Sequence, residues 1–369
     1  MNHESPPRAW VETDVEAVAH NLRVARRLAG GALQMPIVKA NAYGHGLEAV
    51  ARRLDAEEGV AFFGVANVGE ARRLMQAGVE APPFILGPTF AAEREEIVRH
   101  NWGCVVSSLA EAEHFDRLAA LSGRRFALHL ALDTGMGREG FLPEQLGCVI
   151  PQLKQLHHLR IEGAMSHFSS ADEDPAYTAE QIRLFGDCVR ELGLHFELTY
   201  RHLGASAGLM GFRIPEANMT RPGIILYGVA PVPSPAAAEL RTTLRLLSRV
   251  ALVRDLPAGR SISYGRTYTT PVPTRVATLG IGYADGWPRH LSGRGAYVSI
   301  RGQRCPVLGR VTMDLLIVDA TAATGVCEGD EAELIGPELP VQQVAEWAGG
   351  IPWEIFTGLG VRLPRIIKP

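Results

Sequence analysis

The stretch "MPIVKANAYGHG" (residues 35–46) decides how the rest of the chain is read. An apolar run ends on a lysine, and a polar, glycine-punctuated turn follows at once. Next comes "LEAVARRLDAEE", whose apolar residues recur at helical spacing. Buried strand, polar turn and amphipathic helix make one β–α unit. Further strand candidates are "FFGVAN" (62–67), "FILGP" (84–88), "CVVSS" (104–108) and "FALHLALD" (126–133). "IEGAMSHF" (161–168), "ELTYRHLGAS" (197–206) and "GIILYG" (223–228) bring the total to eight. Amphipathic runs such as "LAEAEHFDRLAALS" and "AEQIRLFGDCVRELG" separate most of them. Such alternation implies parallel strands joined by right-handed crossovers. Eight units match an α/β architecture of the (β/α)8 TIM type, for which about 250 residues is typical. The rival doubly wound sheet would carry G-x-G-x-x-G after its first strand, and none is found.

The texture changes at "VAPVPSPAAAEL" (229–240), a proline- and alanine-rich linker. Beyond it, "LRLLSRVALVRDL", "TRVATLGIGY", "AYVSIRG" and "LLIVDA" are strand-like, with one short helix expected near "VQQVAEWAG". The expected domains are a barrel over 1–235 and a mainly-β C-terminal domain over 236–369, with roughly the first 12 residues free to pack on the latter.

Composition excludes several classes. With 46% hydrophobic residues and a net charge of −3, the chain reads as globular and lacks the basic footprint of a nucleic-acid binder. No clustered basic run or long apolar stretch points to a membrane. Five scattered cysteines suit a reducing compartment and fit neither a disulfide framework nor a zinc site. The N-terminal stretch shows no apolar signal core, so a cytoplasmic location is expected.

A barrel of this type works at the C-terminal ends of its strands. Residues expected there are Lys39 and Tyr43, Asp133 and Arg138, His167, Ser206, and Arg221 just ahead of the eighth strand candidate. The chain has only three lysines, Lys39, Lys154 and Lys368, and otherwise uses arginine. A primary amine kept at a strand end points to chemistry that guanidinium cannot do, above all imine formation. An aldolase-type imine and pyridoxal 5'-phosphate (PLP) are the two options. For PLP, "GASAG" (204–208) and "RPGI" (221–224) could cradle phosphate, and Arg221 could face the pyridine nitrogen. "GASAG" also matches the G-x-S-x-G elbow of a serine hydrolase, but only His290 follows Ser206, and Lys39 would be left without a role.

Taken together, the lysine segment, "DTGMGREG" (133–140), "MSHFSSADE" (165–173), "RPGIILYG" (221–228), "SYGRTY" (263–268), "GIGYADGWPR" (280–289) and "GRVTMD" (309–314) resemble the alanine racemase family, collinearly across both expected domains. The resemblance implies a PLP-dependent homodimer that interconverts L- and D-alanine and supplies D-alanine for peptidoglycan. Lys39 would bind PLP as an imine and act as base on one face. Tyr264 of the partner subunit would act on the other. His167 and Arg221 would back that tyrosine, with Arg221 donating to the pyridine nitrogen. Tyr43, Ser206, Gly223, Ile224 and Trp353 are implied at the cofactor phosphate. Arg138, Met313 and Asp314 are implied at the substrate, and no metal is implied.

Three positions depart from the family pattern. Ala131 stands where many members carry a carbamylated lysine bonded to the motif arginine, so Arg138 needs another anion, chloride or a carboxylate. Trp353 replaces a tyrosine that borders the substrate, which leaves a broader-specificity racemase as the nearest alternative. Ala205 replaces an asparagine often found before the phosphate-binding serine.

Overall fold

The structure, a computed structural model, describes residues 6–368. It divides into two compact units. One comprises Glu16–Ala42 and Leu47–Arg241; the other comprises the segment up to Val15, Tyr43–Gly46, and the chain from Thr242 onward.

In the first unit, eight short parallel strands pair in chain order: Leu33–Gln34, Phe63–Val65, Pro83–Ile85, Gly103–Val106, Phe126–Ala131, Leu159–Met165, Tyr200–His202 and Met219–Thr220. The last pairs with the first, and parallel bridges Gln34–Val60 and Ile37–Gly64 close the ring. This is the (β/α)8 barrel. Its helices start and stop on local signals. Asn67 caps Val68–Ala77, which ends on left-handed Gly78, and Asp174 caps the long helix Pro175–Gly193 with proline in its first turn. Phe84, Phe62, Tyr200 and two histidines, His129 and His202, pack as an aromatic group within it. Gly163 makes this possible, because a Cβ there would lie 2.6 Å from the His129 ring.

The eighth strand is not where the apolar run predicts it. "GIILYG" forms a buried 3-10 helix, Ile224–Tyr227, and the strand is Met219–Thr220 just before it. A short apolar run is equally compatible with a buried strand or a buried helical turn. Here Pro222 contributes no N–H to a ladder, and Tyr227 Oη donates to Ile37 O at 2.8 Å, pinning the turn. The correction moves Arg221 from the entrance of a strand to the C-terminal end of one.

The second unit is mainly β. Its sheet runs Gln303–Pro306, Tyr297–Ile300, Glu331–Ile335, Leu244–Leu256, Ala9–Asp14 and Arg365–Lys368. The 13-residue strand Leu244–Leu256 shifts register between Val250 and Leu252 and goes on to pair with Thr274–Leu279, which pairs with Leu316–Asp319. Two helices lie near its C-terminus rather than one: Val341–Ala348 and Pro352–Gly358, the latter carrying Trp353. No helix among the described residues is long and apolar enough to cross a membrane.

Candidate active site

Lys39 begins a left-handed turn. Ala40, Asn41, Ala42 and Tyr43 all have φ between 51° and 56°. That region costs a non-glycine residue roughly 1–2 kcal/mol, so the surroundings must enforce it. The Glu70 carboxylate does so with both oxygens, accepting from Ala40 N at 2.7 Å and Ala66 N at 2.9 Å. Asn41 Oδ1 takes Arg73 Nη2 at 2.7 Å and Leu47 N at 3.1 Å. Strain secured from several sides fixes where the chain turns away from Lys39. The lysine keeps solvent-accessible surface at the barrel mouth, yet surrounding protein strips water from its ammonium. Its pKa is therefore lowered, by that desolvation first and by the charge of Arg138 next, against the opposing pull of Glu70 and Glu139; Arg221 lowers it further.

Arg221 is the hub. It is 3% exposed, and Nη1 donates to His202 Nδ1 at 2.8 Å and His202 O at 2.7 Å. Nη2 donates to Ser166 O at 2.6 Å, His167 Nδ1 at 3.1 Å and Leu203 O at 3.2 Å. Because guanidinium only donates, both histidines must accept at Nδ1 and carry their protons on Nε2. The His202 Nε2–H then donates to His129 Nδ1 at 2.8 Å, leaving His129 Nε2 buried without a hydrogen-bond partner. Burial and the Arg221 charge push His167 and His129 down to about 3, and His202 well below its usual value. Arg221 itself falls to about 10, chiefly by burial, and stays protonated at neutral pH. His129 and His202 were not singled out in the sequence, although a histidine interrupting an apolar strand was the available signal.

After the fifth strand, the loop 133–141 folds back on itself. Asp133 Oδ1 gathers the N–H groups of Gly135, Met136 and Gly137 at 2.9, 2.9 and 3.0 Å. Phe141 N donates to Ala131 O at 2.8 Å, and Asp133 N to Phe141 O at 2.9 Å. Asp133 thus organises the loop, and Arg138 projects from it, half exposed, with Nη2 on Glu139 Oε1 at 2.9 Å. Across the barrel, buried Ser206 Oγ accepts from Gly223 N at 3.0 Å and Ile225 N at 3.3 Å, drawing the hydroxyl and the Gly223–Ile224 turn together. No histidine is hydrogen-bonded to Ser206 among the described residues.

The barrel unit therefore gathers Lys39, Arg138, His167, Ser206, Arg221, Gly223 and Ile224. The other expected residues belong to the C-terminal unit. Tyr43 is buried there, its hydroxyl pushed up to about 12 by desolvation. Tyr264 is 69% exposed on a 3-10 turn flanked by left-handed Ser263 and Gly265. Met313 is exposed, Asp314 pairs with Arg362 at 2.9 Å, and Trp353 is half-buried.

Residues 13–231 match the family model "Alanine racemase, N-terminal domain", and residues 243–367 match "Alanine racemase, C-terminal domain". An alanine racemase from Carboxydothermus hydrogenoformans is 41% identical, covering 97% of this chain and 98% of its own. The crystal structure of alanine racemase from D-cycloserine-producing Streptomyces lavendulae superimposes with a TM-score of 0.93 at 32% identity, covering 99% and 98% of the two chains. That of the Bartonella henselae alanine racemase, described with covalently bound pyridoxal phosphate, gives 0.88 at 30% identity, with 98% and 100% covered.

Proposed function

This chain belongs to the alanine racemase family and is an isomerase, and from that premise we propose that it interconverts L- and D-alanine with PLP by two-base proton transfer. It works as a cytoplasmic homodimer and supplies D-alanine for peptidoglycan. The observation that carries this reading is Arg221, a buried cation whose recorded bonds all run through Nη1 and Nη2. Nε is left without a protein acceptor among the described residues, which suits a pyridine nitrogen held close and kept without its own proton. The Ser206–Gly223–Ile225 convergence suits a phosphate oxygen, and the lowered pKa of Lys39 suits covalent attachment at Nζ. The residues present fit the cofactor.

When bound, PLP acidifies the substrate Cα–H by delocalising the negative charge left behind. Lys39 anchors the cofactor and moves the Cα proton at Nζ on one face. Tyr264 of the partner subunit does the same through its phenolic oxygen on the other. His167 accepts from Arg221 at Nδ1, so its Nε2–H is the donor that steadies that oxygen when the proton is off. Ser206, Gly223, Ile224, Tyr43 and Trp353 hold the phosphate. Arg138 takes the substrate carboxylate, joined by the Met313 N–H and Asp314 of the partner subunit. A contributed tyrosine accounts for apolar residues left in the open on the C-terminal unit: Tyr264, Tyr283, Met313, Leu315 and Val361.

The test is incubation with L-alanine in deuterium oxide, following D-alanine by chiral chromatography and Cα deuteration by NMR, with a visible absorbance scan for lysine-bound PLP. D-alanine carrying solvent deuterium is expected. Bound PLP without D-alanine would move the reaction to another substrate, and an unchanged spectrum after adding PLP would overturn the cofactor.

A further inference from the structure

Arg138 and Glu139 are neighbours in "GMGREG", yet the surface treats them oppositely: the arginine side chain is 53% exposed and the glutamate 8%. Burying a carboxylate is costly unless a cation and hydrogen bonds answer it. Glu139 Oε1 has that answer in Arg138 Nη2 at 2.9 Å, and it is the ion pair recorded for Arg138 among the described residues. Glu139 Oε2 is buried too and has no hydrogen-bond partner, which leaves a second acceptor facing inward. It lies over the end of the third barrel strand, 3.8 Å from where a Cβ on Gly87 would stand. The pair sits within the field of the site: Arg138 lowers the proton affinity of Lys39 and Arg221, while Glu139 raises both. The loop bearing them is closed by hydrogen bonds, gathered on Asp133 Oδ1 and joined to Ala131 O by Phe141 N. Ala131 is buried and offers no side chain to bind an arginine.

We propose that Glu139 is a positioning residue, a built-in carboxylate that neutralises and aims Arg138 so that the substrate-carboxylate site needs no anion from solution. This rests on the reading of Arg138 as the residue that takes the substrate carboxylate. A free guanidinium on an exposed arm samples many rotamers, whereas one tethered to a buried anion presents its remaining N–H groups in one direction. Its contact is with Arg138, and the effect of Glu139 on the substrate carboxylate runs through that arginine.

The test uses the PLP-loaded dimer. Glu139→Gln keeps the shape and removes the charge; its KM for L-alanine is expected to rise about tenfold or more, with kcat changed much less. Glu139→Ala leaves a hollow, and formate is expected to lower its KM while the same formate concentration leaves wild-type KM unchanged or raises it by competition, a rescue that a merely packing role would not allow. Wild-type KM is expected to hold steady when chloride and bicarbonate are replaced by gluconate. Propionate binding by calorimetry, a readout independent of turnover, is expected to weaken in Glu139→Gln in parallel with KM. A wild-type KM in Glu139→Gln, or a wild-type enzyme that needs chloride or bicarbonate, overturns the proposal. Arg138→Gln separates the two failures. If it raises KM while Glu139→Gln does not, only the positioning role falls; if Arg138→Gln also leaves KM unchanged, the carboxylate-binding reading falls with it.

Discussion

The mouth of the barrel and the exposed turns of the C-terminal unit, to which the proposed mechanism assigns one base each, are built in opposite ways. Arg221 is 3% exposed and donates to five acceptors on four residues, and every histidine in contact with it has its tautomer dictated. Tyr264 is 69% exposed on a turn, and Met313 of the same unit is 53% exposed. A group that works within its own chain can be buried and over-bonded. A group that works in another chain must be left reachable, its desolvation deferred until a partner covers it. On the proposed two-base reading, this difference in burial is a difference in whose active site each residue serves.

The sharpest way to break this contrast is to disable each half in a separate chain. Lys39→Ala and Tyr264→Phe are each expected to lower racemisation by about 10²–10⁴ or more. Mixed under conditions that exchange subunits, the two inactive proteins are expected to recover activity, because one site of each heterodimer regains both bases. Exchange demonstrated by mass spectrometry with no activity returned would place both bases in one chain.

A smaller effect tests whether the buried half is pre-built. Glu70→Gln keeps one carbonyl acceptor but replaces the other oxygen with an amide that cannot accept from Ala40 or Ala66 N–H. Losing one such bond at a strained turn is expected to cost about 1–3 kcal/mol, read from a urea midpoint. Glu70 also raises the Lys39 pKa, so its removal is expected to shift Lys39 reactivity to lower pH. Amine-selective methylation of the PLP-free protein, mapped by mass spectrometry across pH, would show it. No shift in that profile would mean the turn and its clamp do not tune the lysine.

Much of this is legible in the amino-acid sequence. Strand-length apolar runs alternating with 3.6-period segments are a strong signal, and they yielded the barrel because parallel strands are buried on both faces. Lys39 stood out through the chain's avoidance of lysine. The left-handed turn after it could not be read, since Ala40 and Ala42 carry no sign of positive φ; Glu70 and Arg73, some thirty residues on, enforce it. The eighth strand falls ahead of its expected position because "GIILYG" has no periodicity to separate strand from turn. The pairing of Arg138 with the adjacent Glu139 was illegible for a related reason: adjacent side chains usually diverge, and only the tightly closed loop brings these two together.

The smallest expected effect concerns acid. His167 and His129 are held near 3 in the folded protein and His202 well below its usual value, while an unfolded histidine titrates near 6.5. Between about pH 3 and 6.5 the unfolded chain therefore binds more protons than the folded one, and stability rises with pH across that window. The stabilisation is full above about 6.5 and is lost as pH falls toward about 3. Each such ring is expected to account for about 1–2 kcal/mol between pH 7 and pH 5. His129→Gln is expected to be less stable at pH 7 yet to show a correspondingly smaller drop by pH 5, measured as the change in urea unfolding free energy. Tyr264→Phe, on the open rim, is expected to leave that drop as in wild type. If His129→Gln keeps the full drop, the acid lability does not come from the histidine chain behind Arg221, and the buried half is held by something other than its enforced tautomers.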